Sequence, residues 1–219
     1  MTSETIGRKL SPVSVLVVGA TGFLGTEICR RIAEKEMPLR ALVRKSSDPA
    51  RVEALRELGA ELVTGDLRDR SSLDRACAGA GIVFSTATSI IREGEISAVD
   101  EAGQLNLVDA AREAGVERFV YISFEELGTG APLEHAKRAV EERLRASDIN
   151  YTILRAGLFH ETWLSAATGF DAANGTVSIY GSGEAELSWI ALADVATAAV
   201  NSLDCRRPRT PLFTSQASG

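Results

Sequence analysis

The chain has 219 residues, 45% of them hydrophobic and 25% charged, which suits one globular domain with a sizeable core. Its formal net charge of -6 argues against a broad surface for nucleic acid or anionic membrane, and the one basic cluster, CRRPRTP from Cys205, reads as a solvated tail. No run approaches the roughly 18 apolar residues of a membrane span. MTSETIGRKLSP has no apolar signal core, and Cys29, Cys77 and Cys205 make neither a CxxC pair nor a disulfide framework. A soluble, cytoplasmic protein is expected, with no metal site, no membrane association and no nucleic-acid partner.

Residues 1–12 are expected to be a flexible tail. From there, short β-branched runs alternate with segments at helical spacing. VSVLVVG (13–19) reads as a strand and FLGTEICRRIAEKE as a helix. LRALVR (39–44) is followed by SDPARVEALRELG, AELVTG (60–65) by SSLDRACAGAG, and GIVFSTA (81–87) by ISAVDEAGQLNLVDAAREAG. RFVYIS (118–123), EHAKRAVEERLRAS and NYTILR (150–155) complete the alternation. Strands without polar alternation are buried on both faces, so the pattern predicts an α/β fold: a Rossmann doubly wound parallel sheet of about seven strands with helices on both faces. Residues 156–190, rich in glycine and aromatics, break the pattern and are expected to cover the substrate cleft. A helix, LADVATAAVNSL, and a short run, PLFTS, end one domain spanning 13–219.

The first strand runs into GATGFLG, which places Gly19, Gly22 and Gly25 between strand and helix. Gly19 permits the tight turn, Gly22 lets the backbone approach a pyrophosphate, and Gly25 lets helix and strand pack closely. Free amides at the helix start would face the anion. The spacing is GxxGxxG, one residue longer than the GxGxxG fingerprint, and its position after a strand is what points to dinucleotide binding. The second strand ends in Arg44 and Lys45 instead of an acidic residue, which favours the 2'-phosphate of NADP over the ribose hydroxyl of NAD. In GDLRD, Asp66 has two readings, an acceptor at the adenine edge or an ordering element beside the SxxD helix start at Ser71 and Asp74.

Taken together, GATGFLG, LVR, GDLRD, ISF, AVEERLRASDINYTILRAGLF and WIALADVATAAV resemble the atypical short-chain dehydrogenase/reductases of the NmrA-like group, over nearly the whole chain. The resemblance implies a fold that binds NADP or NAD, either in reductases of quinones, dyes or flavonoid-like carbonyls or in regulators without turnover. It puts Thr21, Gly22, Phe23 and Leu24 along the pyrophosphate, Arg44 at the adenosine phosphate, Asp66 with Leu67 at adenine, and Thr86 with Ala87 at the inner ribose. Ala156, Gly157, Leu158 and Phe159 would lie near the nicotinamide, although the family often has proline where this chain has Ala156.

Many nicotinamide enzymes pair a lysine on the fifth helix with a tyrosine four residues earlier, about 40° away around the axis. Here Lys137 has Leu133 at that position, and Leu133 cannot donate a proton. Lys137 can still donate to the nicotinamide ribose hydroxyls or polarise a substrate oxygen; the alternative is a surface lysine in KRAVEER. His135 would be turned about 200° away if both residues are helical. Ser123, closing the fifth strand, is the better polar candidate, and in tyrosine-containing relatives a serine there binds the substrate carbonyl. Tyr180 is a remoter donor candidate, His160, Trp163 and Trp189 read as packing residues, and Asp194 reads as a helix cap.

The expected function is an NADP-dependent oxidoreductase that transfers hydride from NADPH to a small quinone-like or conjugated carbonyl acceptor, which spreads the incoming charge and can take its proton from water. The alternative is a non-catalytic NADP(H)-binding sensor or scaffold, for which the missing phenol is no loss. A homodimer across the helices at 96–114 and 133–147 and a solvated monomer both suit their alternating charges.

Overall fold

The computed structural model describes residues 13–89, 94–125, 128–179, 181–184, 188–205 and 210–212. Its elements follow in chain order as β1 (Val15–Val18), α1 (Phe23–Glu34), β2 (Leu39–Val43), α2 (Pro49–Glu57), β3 (Glu61–Thr64), α3 (Arg70–Cys77) and β4 (Ile82–Ser85). A π-helical turn, Ser97–Gly103, runs directly into α4 (Gln104–Glu113). Then come β5 (Arg118–Phe124), α5 (Pro132–Ala146), β6 (Asn150–Ala156), β7 (Leu158–Phe159), α6 (His160–Trp163), β8 (Phe170–Asp171), β9 (Thr176–Val177), β10 (Trp189–Ile190), α7 (Leu192–Asn201) and β11 (Thr210–Leu212).

The main sheet has the order β11-β6-β5-β4-β1-β2-β3, with every pairing parallel and the short β11 at one edge. β1 explains the two-sided core. Val15 and Val17 face one cluster, with Ile28, Cys29 and Ile32 of α1, Leu55 of α2, and Val195 and Ala199 of α7. Leu16 and Val18 face the other, with Leu73 and Cys77 of α3, Leu107 and Val108 of α4, and Val140 and Leu144 of α5. Burying each large aliphatic side chain contributes about 1.5–3 kcal/mol, so alternate residues of one strand hold both helical layers. Cys29 and Cys77 are buried, and desolvation pushes both thiols up to about 12, which makes them inert packing residues.

The chain leaves β1 towards β2 on one side and reaches β4 on the other, so the order reverses between β1 and β4. A crevice opens at such a switch point, outside the carboxyl ends of the strands. After β6 the chain forms two small sheets, β7 parallel to β10 and β8 antiparallel to β9. The tail at 1–12 and the arginines of CRRPRTP lie outside the described residues.

Helix starts differ from the sequence expectation in two places. Asp69, not Ser71, is the N-cap of α3, because its carboxylate accepts the Ser72 amide while Ser71 already lies inside the helix. Asp194 is not the cap of α7; it sits in the first turn after Ala191, and Glu161 from α6 accepts the Leu192 amide at 2.9 Å. A carboxylate in the first turn still suits the helix dipole.

Candidate functional site

The three glycines of the first turn have separable causes. Gly19 has φ +87°, and a Cβ there would lie 2.6 Å from Thr86 Oγ1, so both backbone and packing require glycine. A Cβ on Gly25 would overlap Gly19 O and sit 2.9 Å from Ala20 Cα, which is the close packing of helix on strand. Gly22 is different. Its φ of -77° is open to any residue, and a Cβ would meet only Gly19 O, at 3.2 Å. The backbone angles at Gly22 therefore do not require glycine, but a side chain there would press on the Gly19 carbonyl and shift it by a few tenths of an ångström. Gly22 is also the N-cap of α1, where no side chain caps the amides and no carboxylate occupies the first turn. The Gly22 amide donates to Gly19 O at 2.9 Å, which leaves the Phe23, Leu24 and Gly25 amides at the start of this 12-residue helix, an arrangement that favours an anion. Thr21 and Phe23 flank them at the surface, whereas the Leu24 side chain is part of the core, so Leu24 offers only its backbone.

The rim beside this turn carries three cations. Arg44 is half-buried at the end of β2, where Ser47 folds back onto its amide at 3.0 Å, and Lys45 is exposed. The third, Arg51, was not singled out in the sequence. Asp48 caps α2 through the Ala50 and Arg51 amides, and Arg51 then reaches across to donate to Thr21 O at 2.8 Å, its guanidinium 4.8 Å from the centroid of the Phe23 ring. Only the ordinary look of RVEALRE as a charged helix hid it. Asp66 takes the ordering role: it accepts the Arg68 amide and forms a two-pronged pair with its guanidinium at 3.0 and 2.8 Å. Those hydrogen bonds hold the Asp66 carboxyl below its usual range. The Leu67 side chain is in the core.

On the other wall, Thr86 donates to Val18 O from both its hydroxyl and its backbone amide, which seats the turn after β4 beside the glycine turn. Buried Gln104 accepts from Ser85 at 2.7 Å and donates to Ala87 O at 3.0 Å, fixing Thr86 and Ala87 from below. One turn earlier, in the π-helical segment, Asp100 is fully buried. Its Oδ2 accepts the Ser89 amide at 2.9 Å and the Ser89 hydroxyl at 2.5 Å, and its Oδ1 lies 3.6 Å from Lys137 Nζ. Lys137 is therefore not a surface lysine. It is 5% exposed, 3.5 Å from Ile122 O and 5.2 Å from the centre of the Tyr121 ring. Burial lowers its pKa and Asp100 opposes that, while burial, Asp100 and Glu141 together push the Tyr121 phenol well up.

Ser123 requires a correction. Instead of facing an open cleft, its hydroxyl is 4% exposed and donates to Glu141 Oε1 at 2.7 Å. Glu141, fully buried, also binds Arg155 through Nε at 3.0 Å and Nη2 at 2.6 Å, with Arg138 at 2.9 Å and Arg145 at 2.7 Å. Burial alone would raise its pKa; Arg155, Ser123 and Arg138 outweigh that and hold it low. This buried carboxylate ties α5, which carries Lys137, to the residue preceding Ala156 and Gly157. Ala156 and Gly157 are buried, Leu158 and Phe159 are half-buried, and the following strand pairs with β10. Without the expected proline, the Arg155 to Glu141 pair fixes the start of this loop.

α5 begins at Pro132, so His135 is helical and exposed, on the face opposite Lys137. Leu133 is buried. His160 lies beside Glu161, and Trp163 and Trp189 are exposed. Tyr180 lies outside the described residues.

The profile of the NmrA-like family matches residues 12–210. The chain belongs to the NmrA-like family. This NmrA-like chain is 30% identical over 191 residues to an NAD(P)H azoreductase of Xenophilus azovorans, covering 86% of this chain and 63% of the azoreductase. It is 36% identical over 146 residues to the photosystem II assembly factor Ycf39 of Cyanophora paradoxa, covering 65% of this chain and 44% of that protein. Among solved structures, the NADPH complex of the quinone oxidoreductase QOR2 of Escherichia coli superposes with a TM-score of 0.70 at 27% identity, covering 89% of this chain and 66% of the oxidoreductase. The chain thus spans about half to two thirds of the length of these relatives. No helix among the described residues is long and apolar enough to cross a membrane.

Proposed function

We propose that this NmrA-like protein is an NADP-dependent oxidoreductase that reduces a small quinone-like or conjugated carbonyl acceptor. The observation that carries the reading is the start of α1 at Gly22, which follows the first strand with no side-chain cap and no carboxylate in its first turn. A diphosphate seated there accepts hydrogen bonds from the first amides of the helix. Arg44, Lys45 and Arg51 stand where the 2'-phosphate of the adenosine half would lie, and guanidinium groups suit its geometry. Leu67 offers its backbone to adenine, and Thr86 and Ala87 line the inner ribose.

Lys137 donates to the nicotinamide ribose, and Ala156, Gly157, Leu158 and Phe159 form the wall beside the ring. When bound, the cofactor supplies a hydride. The protein supplies orientation and charge. No phenol stands four residues before Lys137, and Ser123 is committed to Glu141, so an acceptor that takes its proton from water suits this site better than a simple ketone. The relatives named for azo and quinone reduction support that class. Loss of NADPH absorbance across a panel of quinones and enones tests it: turnover with conjugated acceptors and none with aliphatic ketones is expected, and no turnover with any acceptor at saturating cofactor would refute it.

The second reading, a cofactor-binding scaffold or sensor, is favoured by buried Leu133 and by the assembly factor among the relatives. It requires that NADPH and NADP+ differ in affinity or in the partner they permit. Equal affinity for the two forms, with steady turnover, would set it aside.

A further inference from the structure

We propose that Asp100 is a positioning residue for the cofactor: it joins the turn after β4 to Lys137, so that the inner-ribose loop and the ribose-binding ammonium are held as one unit. The inference rests on the cofactor reading given above. Asp100 divides its two oxygens between two walls of the crevice. Oδ2 is fully engaged by the amide and hydroxyl of Ser89, three residues beyond Thr86. Oδ1 faces Lys137 Nζ at 3.6 Å and accepts no hydrogen bond from the described residues.

The local fold is built around this placement. A π-helical turn adds a residue to each turn of backbone, and such turns concentrate at functional positions. Here it brings Asp100 inward while Gln104, at the start of α4, reaches Ser85 and Ala87 O. Gly103 between them has no room for a side chain, since a Cβ would lie 2.8 Å from Leu67 Cβ. The segment is therefore pressed against the loop after β3 and cannot turn Asp100 away.

A buried ammonium needs an anion. Lys137 is surrounded by Asp100 from the π-helical segment, the Tyr121 ring from β5, and Arg138 and Glu141 on its own helix. Glu141 is already shared among Ser123 and three arginines, and Tyr121 stays a neutral phenol, so Asp100 is the counter-ion available to Lys137. In a tyrosine-lysine pair the lysine acts on a phenol; here the acidic partner comes from a different helix and acts on the lysine.

The test is calorimetric titration of the full chain with NADP+ from neutral to alkaline pH, for wild type, D100N, K137M and the double variant. Lys137 binds as an ammonium, so affinity is lost as pH rises through its pKa. Asp100 supports the charged form, so in D100N that loss comes at lower pH. K137M removes this alkaline dependence, and in the K137M background D100N changes affinity by less than about twofold. An equal cost of D100N in both backgrounds, or an unmoved pH profile, would overturn the proposal and leave Asp100 as a structural partner of Ser89. If D100N does not fold, Asp100→Ser, which keeps an acceptor for Ser89, carries the same contrast. Failure of wild type to bind NADP+ would instead remove the cofactor reading itself.

Discussion

At the residue scale, Gly22 and Gly25 make different predictions although they belong to one motif. Gly22→Val is expected to fold at a stability cost of about 1–2 kcal/mol, since its backbone is ordinary and the added Cβ presses only on Gly19 O at 3.2 Å, yet to lose NADP+ affinity by about tenfold or more. Gly25→Ala is expected to cost about 1–3 kcal/mol of stability, because the added methyl overlaps Gly19 O and the backbone must move. Chemical denaturation paired with calorimetry separates the two. K137M should weaken NADP+ binding by about 10- to 100-fold, the value of a charged hydrogen bond, with titration as the check. The roles of Gly19 in the turn and Gly25 in packing were readable in the sequence because each is a steric statement about one position. The partners of Lys137 were not: Asp100 lies 37 positions away in sequence, and only the packing of the π-helical turn against α5 brings it within 3.6 Å of Nζ.

At the scale of elements, α5 is fastened to β5 and β6 by one buried carboxylate. Glu141 collects Ser123 and three arginines, and removing its charge leaves those guanidinium groups facing each other with less to neutralise them. E141Q is expected to cost about 3 kcal/mol or more in stability. The low pKa of Glu141 fixes the direction with pH. Its contribution is fully present above the ordinary carboxylate value of the unfolded chain and is lost as pH falls through the lower value of the folded chain. Melting followed down an acid series should therefore drop more steeply in wild type than in E141Q. The sequence read KRAVEER as a charged, partly exposed pattern, and helical spacing alone could not tell which glutamate turns inward. Ser123 was misread for the same reason: its place at the end of a strand was evident, but the acceptor waiting on the next helix was not.

At the scale of the whole molecule, the reversal of strand order between β1 and β4 sets the glycine turn against Thr86 and Ala87, and every proposed cofactor contact lies along that edge. Saturating ligand stabilises the fold that binds it. NADP+ at about 100 times its dissociation constant should add about 2.7 kcal/mol, visible as a rise of several degrees in melting temperature. NAD+ at the same concentration should give a smaller rise, because the cations Arg44, Lys45 and Arg51 then meet no 2'-phosphate. Equal shifts for the two would undo the assignment of those three residues.

The sequence by itself determined the alternation of strands and helices, the doubly wound parallel sheet and the glycine turn between the first strand and the first helix. Each follows from local periodicity or from the volume a single side chain occupies. Tertiary structure alone decided which charges meet. It placed Arg51 against Thr21, turned Asp66 onto Arg68, gave Ser123 to Glu141 and set Asp100 beside Lys137. An ion pair inside a protein depends on which helix faces are brought into contact and sealed from water, and neither is recorded in the spacing along the chain.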